Sequence, residues 1–169
     1  MKKTAIVIAS LLLFSSLFFT TSITAFAAND KNEHNENSEI FYLDDGSFYI
    51  TSIQTISNTQ KHQGNKGTLA TYSSVTTTKS TTYYNALNVA QWKFNLTGSF
   101  TFNGTTSTCT SASSSVNIYD SSWNIESKTA SKSGNKATGS VVMKTNFLGL
   151  VLKRTANLTI TCDKNGNIS

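Results

Sequence analysis

The feature that most constrains this chain is a stretch in which apolar and polar residues alternate strictly up to an Asn-Gly pair. Between Trp92 and Phe102 every second residue is apolar or Gly, and the positions between them are Lys, Asn, Ser or Thr. A period of two is typical of a strand with one buried face. Asn103-Gly104 is a residue pair favoured in two-residue type I′ turns. The sequence therefore predicts a hairpin in which Gly98 faces Cys109 on the inner side.

The first 27 residues have the layout of a secretory signal peptide. Lys2 and Lys3 precede an apolar run, and Ala25-Phe26-Ala27 is a small-x-small cleavage site. The polar stretch 28–39 has nothing to bury and is predicted to be a disordered leader. Residues 40–169 suit a single domain, and no segment in them approaches the length of a membrane span. We therefore expect a secreted protein, either extracellular or loosely associated with the cell wall.

A second alternating segment, near the end of the chain, carries the other cysteine. Its inner face is predicted to hold Ala156, Leu158, Ile160 and Cys162. Both cysteines of the chain then point inward from different strands. In an exported protein two such cysteines predict a disulfide bond, and two buried free thiols are the alternative, because buried Cys is common. A bridge from Cys109 to Cys162 would close a loop of about fifty residues and contribute roughly 4 kcal/mol to stability.

The remaining segments repeat the pattern of short strands. Ser and Thr make up about three residues in ten, and β-branched and aromatic residues dominate the apolar set, a composition that favours strands over helices. Turn sequences such as Asp44-Asp45-Gly46 and Ser133-Gly134-Asn135-Lys136 separate these segments at hairpin spacing. The chain is therefore predicted to be all-β, an antiparallel β-sandwich of about seven to nine strands.

Residue types that carry catalysis are scarce. The two histidines are His34 in the leader and His62 in a Gly-rich loop, so a Ser-His-Asp or Cys-His arrangement would depend on His62 alone. Acids are few, and no motif supports the carboxylate pair that glycoside hydrolysis requires. The segment Asp163-Lys-Asn165-Gly-Asn167 imitates the start of a calcium loop but lacks the later Gly and Glu. We predict no enzyme, no cofactor and no metal site.

Basic residues accumulate after the leader. From Gly46 onward the chain has eleven Lys or Arg and three Asp or Glu, a net charge of +8. This surplus permits attraction to anionic polymers. The candidate anion-binding ridge consists of Lys128, Lys132, Lys136 and Lys144. The alternative is edge protection, because lysines on an outer strand discourage pairing between the sheets of different molecules.

Two apolar features have more than one interpretation. The run 147–152, Phe-Leu-Gly-Leu-Val-Leu, is compatible with a membrane-inserting tip, and the favoured interpretation is a strand buried on both faces with Gly149 at a bulge. Trp92 is assigned to the core by its alternation, whereas Tyr83 and Tyr84 must face opposite sides of a strand. Exposed aromatic residues would suit sugar stacking, but the sequence specifies no carbohydrate site.

Four stretches of the chain form a distinctive pattern: YLDDGSFYITSI, LTGSFTFNGTTSTCTSASSS, YDSSWNIESKTASKSGNKATGS and the closing TITCDKNGNIS. This pattern covers roughly residues 41–169 and resembles that of a group of small exported proteins of Gram-positive Firmicutes. The resemblance implies a secreted β-rich domain that carries the Cys109 and Cys162 pair, and it implies no particular activity.

These observations predict a secreted, non-catalytic β-domain, extracellular or associated with the cell surface, that binds an anionic cell-wall polymer or a glycan. Nucleic acid is not an expected partner. The first alternative is a toxin- or bacteriocin-like membrane-active protein that uses the run 147–152. The second alternative is a polysaccharide hydrolase.

Overall fold

The chain is all-β in residues 38–56 and 72–169, the ranges that the computed structural model describes. Its strands are β1 (Ser38–Tyr42), β2 (Phe48–Ile56), β3 (Ser73–Tyr84), β4 (Ala90–Phe102), β5 (Ser107–Ile118), β6 (Trp123–Ser133), β7 (Lys136–Phe147) and β8 (Leu150–Thr161). They form a five-stranded sheet of order β1-β2-β3-β4-β5 and a three-stranded sheet of order β6-β7-β8. All pairings are antiparallel. The two sheets pack over one core, so the predicted class of fold is confirmed.

Part of what the sequence predicts lies outside these ranges. The signal peptide (1–27), residues 28–37 of the leader and the loop that contains His62 are not among the described residues. The first strand begins at Ser38, two residues before the expected start of the domain. Within the described ranges no helix has the length and apolarity that crossing a membrane would require.

The core of the sandwich is built on the inner row of β4. Trp92, Phe94, Leu96 and Phe100 are fully buried with Gly98 on the same face, and the polar residues between them lie half-buried on the other face. The inner rows of β7 and β8 complete the core with Ala137, Val141, Met143, Ala156, Leu158 and Ile160, and Cys162, directly after β8, joins them. Burial of each large apolar side chain contributes about 1.5–3 kcal/mol relative to exposure. The alternation predicted for β4 and β8 is confirmed.

The hairpin after β4 differs from the predicted two-residue turn. The Asn103 side-chain oxygen accepts a hydrogen bond from the backbone N–H of Thr106 at 2.8 Å, so the connection is a four-residue loop. Such bonding of Asn to the nearby backbone competes with the type I′ geometry. A bulge then adds one residue to β5, and Phe100, rather than Gly98, pairs with Cys109. The predicted turn type and register are therefore wrong, although Cys109 still points inward.

The predicted disulfide is also wrong, because Cys109 and Cys162 are both buried free thiols. The turn between β6 and β7 separates them. The backbone N–H of Cys109 donates to the carbonyl oxygen of Gly134 (2.8 Å), and that of Cys162 donates to the carbonyl oxygen of Asn135 (3.1 Å). Burial raises the pKa of both thiols, and a thiol that stays protonated is a weak nucleophile.

The apolar run 147–152 is not a buried strand. Leu148 and Gly149 form a two-residue turn between β7 and β8, with φ of 51° and 81°, and Phe147 pairs with Leu150 across it. Leu148, Leu150 and Val151 are 88%, 75% and 60% exposed. The interpretation as a strand buried on both faces is therefore wrong, because the positive-φ pair reverses the chain in the middle of the run.

The close approach of the two sheets at Gly98 gives a test of the packing. A Cβ at this position would lie 2.8 Å from Cε2 of Phe100 and 3.0 Å from Cβ of Ala137. We expect Gly98→Val to lower the free energy of unfolding by about 1–3 kcal/mol, because overpacking displaces the ring. Urea unfolding followed by Trp fluorescence measures the change. Thr101→Val on the outer face is the control, expected within about 0.5 kcal/mol of wild type, and equal stability of Gly98→Val and wild type would contradict this packing.

The state of the cysteines can be tested by thiol titration of protein purified without reductant. We expect Ellman's reagent to detect both thiols after unfolding in guanidinium chloride, and only one in Cys109→Ser. In the native protein the reaction at about pH 8 should be at least tenfold slower, because both sulfurs are buried and protonated. Unfolded wild type without free thiols would contradict the structure.

Candidate functional site

The outer face of the five-stranded sheet is made of hydroxyl and amide side chains across β3, β4 and β5. Directly paired residues share a face of a sheet, so the register defines the set. We call it the polar face: Ser74, Thr76, Thr78, Ser80, Thr82, Lys93, Asn95, Thr97, Ser99, Thr101, Thr108, Ser111, Ser113, Ser115 and Asn117. Lys93 is the one charged member of this set.

Hydrogen bonds between neighbouring strands orient the side chains of the polar face. They are Thr76–Ser99 (3.0 Å), Thr78–Thr97 (2.9 Å), Ser80–Asn95 (2.8 Å) and Asn95–Ser115 (3.2 Å). A hydroxyl group has one donor and two acceptor positions, so each group keeps bonding capacity after its first bond. The side chains repeat about every 6.8 Å along a strand and 4.8 Å between strands. The polar face is thus an ordered array of groups that both donate and accept.

An aromatic row borders the polar face. Tyr42, Phe48 and Tyr84 are paired neighbours on β1, β2 and β3. The ring centroids of Tyr42 and Phe48 are 5.5 Å apart, and those of the stacked rings of Phe48 and Tyr84 are 4.9 Å apart. Tyr42 is 68% exposed. Accessible ring surface with a phenolic hydroxyl therefore lies beside the array of hydroxyl groups.

Three large aromatic side chains form one buried cluster. Tyr83, Trp92 and Trp123 pack against one another, with centroids 5.5–6.3 Å apart, and all three belong to the core. They stabilise the contact between the sheets and are not free to stack on a ligand. Tyr84 is half-buried on the opposite face from Tyr83, as predicted, and Tyr119 is exposed.

Arg154 joins this aromatic cluster to the β1–β2 turn. Its Nε donates a hydrogen bond to the Tyr83 hydroxyl (3.2 Å), and its guanidinium carbon lies 5.6 Å from the centroid of the Tyr83 ring. The same guanidinium forms an ion pair with Asp45. Hydrogen bonds from Ser47, and then the charge of Arg154, lower the pKa of Asp45. These contacts are structural, because they fix the start of β8 against the neighbouring sheet.

The four lysines of the predicted anion-binding ridge occupy three separate places. Lys128 and Lys132 share one of these places, between the neighbouring edges of the two sheets. Lys128 and Lys132 point to the inner side of β6, since both pair with buried residues of β7. Their Nζ atoms donate to backbone carbonyl oxygens of the neighbouring edge strand β5, at Ser114 (3.2 Å) and Thr110. Inward-pointing charges of this kind protect sheet edges, so these contacts favour the edge-protection interpretation.

Lys136 and Lys144 lie at opposite ends of β7 on the outer face of the three-stranded sheet, about 27 Å apart at 3.4 Å per residue. Lys144 lines a cleft of about 520 Å³ together with Lys153 and Glu126. The Nζ of Lys153 lies 2.7 Å from a carboxylate oxygen of Glu126, and this hydrogen bond lowers the pKa of Glu126. The anion-binding role of the four lysines stays a prediction.

Four of the carboxylates in the described ranges, Asp45, Asp120, Glu126 and Asp163, are engaged in local contacts. The Asp163 carboxylate accepts hydrogen bonds from the Asn167 side chain (2.7 Å) and from the backbone N–H groups of Asn167 and Asn165 (both 2.8 Å), and these bonds lower its pKa. Asp120 accepts one from the backbone N–H of Ser122 (2.9 Å). The described residues contain no group of three or more His, Cys, Asp or Glu suited to a metal ion.

The alternating pattern of the strands predicts both the core and the polar face. Its apolar residues form the core, and its polar residues form the polar face. Positions 93–101 show it in β4, and the Ser- and Thr-rich segments that become β3 and β5 continue it. Only the strand order brings the three rows together, and strand order is not readable from periodicity. The aromatic row was missed for the same reason, because its members are far apart in the chain.

Comparison with protein-family models, curated proteins and solved structures finds no match for the chain. The resemblance to exported Firmicutes proteins therefore stays a prediction, and the site is interpreted from its own chemistry.

Tyr49 gives the fold a measurable dependence on pH. Its ring packs against Tyr83 and Trp92, with centroids 5.3 and 5.9 Å away, and burial raises its pKa to about 12. In an unfolded chain Tyr titrates near pH 10. Between pH 10 and 12 the folded state therefore binds more protons than the unfolded state, and the free energy of unfolding falls as the pH rises.

We expect Tyr49→Phe to remove this contribution. From pH 10 to 12 the unfolding free energy of wild type should fall by about 1 kcal/mol relative to that of Tyr49→Phe. This is less than the full pKa shift of Tyr49 implies, because the ring is half-buried and screened by solvent. Urea unfolding of both proteins at several pH values measures it. The difference at pH 7–9 is the control and should be constant, and a difference that stays constant up to pH 12 would contradict the assignment.

Proposed function

We propose that the chain is an exported, non-catalytic binding domain that holds an extended, uncharged glycan polymer on its polar face. The observation that carries this proposal is the array of hydroxyl and amide groups on three adjacent strands, oriented by cross-strand hydrogen bonds. Side chains that are already ordered lose little conformational freedom when a ligand binds. An ordered array therefore favours affinity even though each single contact is weak.

A neutral glycan has chemistry complementary to this surface. Its ring hydroxyl groups donate and accept hydrogen bonds, as the Ser and Thr hydroxyls and the Asn carboxamides do. Tyr42 and Tyr84 at the border supply apolar ring surface, suited to the C–H faces of sugar rings, together with phenolic hydroxyl groups. A long polymer fits better than a single sugar, because the polar face extends along strands of twelve or thirteen residues.

The composition of the polar face argues against other polymers. Binding of a phosphate-containing polymer relies on several Lys or Arg that neutralise phosphates, and Lys93 is the only cation in the set. Protein interfaces have apolar, aromatic-rich centres, and the polar face contains no apolar side chain. Of the two ligand classes expected from the sequence, these side chains favour a glycan over an anionic polymer.

Export and location at the cell surface belong to the same proposal. The layout of residues 1–27 and the resemblance to exported proteins of Firmicutes support them. A hydrolase is the weaker proposal, because Asp45, Glu126, Asp120 and Asp163 are bonded to neighbouring groups and none of them belongs to the polar face.

Retention of the mature protein on insoluble polysaccharides tests this function. The probes are cellulose, chitin and peptidoglycan sacculi stripped of teichoic acid. We expect retention on at least one probe, and we expect it to withstand high salt, because salt screens charges and not contacts between neutral groups. Ser113→Glu/Ser115→Glu adds two carboxylates to an exposed part of the polar face and should weaken retention at least about tenfold, or 1.4 kcal/mol.

The matched control is Asn157→Glu/Thr159→Glu. It adds the same charges at the same spacing to β8, an exposed edge strand of the other sheet, and retention should not change. Absence of retention on all three probes, release by salt, or equal losses in the two double variants would overturn the glycan assignment.

A further inference from the structure

The β7–β8 hairpin projects beyond the rest of the three-stranded sheet. The first residue of β6, Trp123, pairs with Thr145, and β7 and β8 continue past this point as a two-stranded ribbon that ends in the Leu148-Gly149 turn. At 3.4 Å per residue the ribbon extends about 10 Å past Trp123.

The end of this ribbon is apolar and exposed. We call Leu148, Leu150, Val151 and Leu152 the apolar tip, and their exposed fractions are 88%, 75%, 60% and 39%. Single exposed apolar residues are common on protein surfaces, whereas a contiguous exposed group marks an interaction site. The four residues are contiguous and lie on one hairpin, so the apolar tip is such a group.

The backbone of the apolar tip is locally unfavourable. Leu148 has a φ of 51°, in the left-handed region that a residue with a bulky side chain rarely adopts. Two-residue hairpin turns of this type ordinarily have Asn or Gly at such a position. A residue held in a sparsely populated backbone region at an exposed turn points to a functional requirement for its side chain.

At the base of the ribbon, a pair of like charges is also locally unfavourable. Lys144 and Lys153 are directly opposite each other on β7 and β8, and like charges in that position destabilise a strand pair. Glu126 offsets part of the repulsion through its contact with Lys153 (2.7 Å). Two cations therefore lie at the base of the ribbon, where β7 is still paired with β6, behind the apolar tip.

We propose that the apolar tip inserts into the interfacial layer of an anionic lipid bilayer, with Lys144 and Lys153 at the level of the lipid headgroups. Interfacial anchors penetrate about 5–10 Å, which matches the length of the ribbon. Anionic headgroups attract cations close to the membrane surface, so the lysine pair is favourable there although it is unfavourable within the isolated sheet. An anionic bilayer would thus explain both unfavourable features, the positive φ of Leu148 and the pairing of Lys144 with Lys153.

A bilayer suits the shape of the apolar tip better than a second protein does. The tip is convex, and its side chains point to both sides of the ribbon, because Leu150 and Val151 are neighbours on one strand. A protein partner would need a socket that encloses both sides, whereas lipid chains surround an inserted ribbon. The β3–β4 and β5–β6 connections lie at the same end of the up-and-down strands, and they too expose large side chains, Leu87 (82%), Val89 (53%) and Tyr119 (54%).

Flotation with lipid vesicles tests the proposal on the mature protein. The probes are vesicles of phosphatidylcholine alone and vesicles in which phosphatidylglycerol replaces about one third of the lipid. We expect at least tenfold tighter binding to the anionic vesicles, and Lys144→Gln/Lys153→Gln should remove most of this preference. Leu148→Asn/Leu150→Asn should weaken binding at least tenfold, and its fold should be intact because Asn tolerates the left-handed conformation.

The matched control is Tyr72→Asn, which changes an exposed aromatic residue at the opposite end of β3 and should leave vesicle binding unchanged. Ser113→Glu/Ser115→Glu should also bind vesicles normally, so failure of the glycan proposal and failure of the lipid proposal are distinguishable. No binding to anionic vesicles, or equal binding by Leu148→Asn/Leu150→Asn and wild type, would overturn the proposal. A wild-type dimer that Leu148→Asn/Leu150→Asn dissociates would assign the apolar tip to a second copy of the chain and would also overturn it.

Discussion

The inner row of β4 is the constraint on which the rest of the structure depends. Trp92, Phe94, Leu96 and Phe100 contact both sheets of the sandwich and are removed from water completely. Because side chains alternate along a strand, a shift of one residue would expose this whole row and bury Lys93 and its polar neighbours. The same constraint that builds the core therefore turns a row of hydroxyl and amide groups outward. The polar face is the other half of the core pattern and not a separate feature.

Periodicity accounts for the part of the fold that the sequence predicts well, and side-chain bonding to the backbone accounts for the part that it does not. The inner rows of β4 and β8 follow from alternation alone. The turn after β4 does not, because Asn103 bonds the backbone N–H of Thr106 and lengthens the loop. Two inward-facing cysteines predict a disulfide bond, but a shared inner face does not fix the distance between their sulfur atoms. The carbonyl groups of the β6–β7 turn, which accept hydrogen bonds from both cysteine N–H groups, lie between the two strands.

The run 147–152 shows why a short apolar stretch is ambiguous. Length and hydrophobicity favour a buried strand, and the usual turn signals are absent apart from one Gly. The chain nevertheless reverses there, because Leu148 and Gly149 both adopt positive φ. Turn prediction relies on Asn, Asp or Gly at positions with positive φ. It therefore misses a turn that has an apolar residue, Leu148, at such a position. The two candidate sites are therefore recognised in different ways. The polar face follows from the regular alternation of its strands, whereas the apolar tip is recognised by a residue that is unusual for its turn.

The two proposed surfaces are compatible because they lie in different directions from the core. The polar face covers one side of the five-stranded sheet, whereas the apolar tip continues the strands of the other sheet beyond their end. A domain that inserts this tip holds its strands steeply inclined to the membrane, so the polar face is directed sideways and stays open to solvent. A polymer bound across that face then runs beside the bilayer and does not compete with the lipid. Since the surfaces share no residue, substitution of one set leaves the chemistry of the other intact.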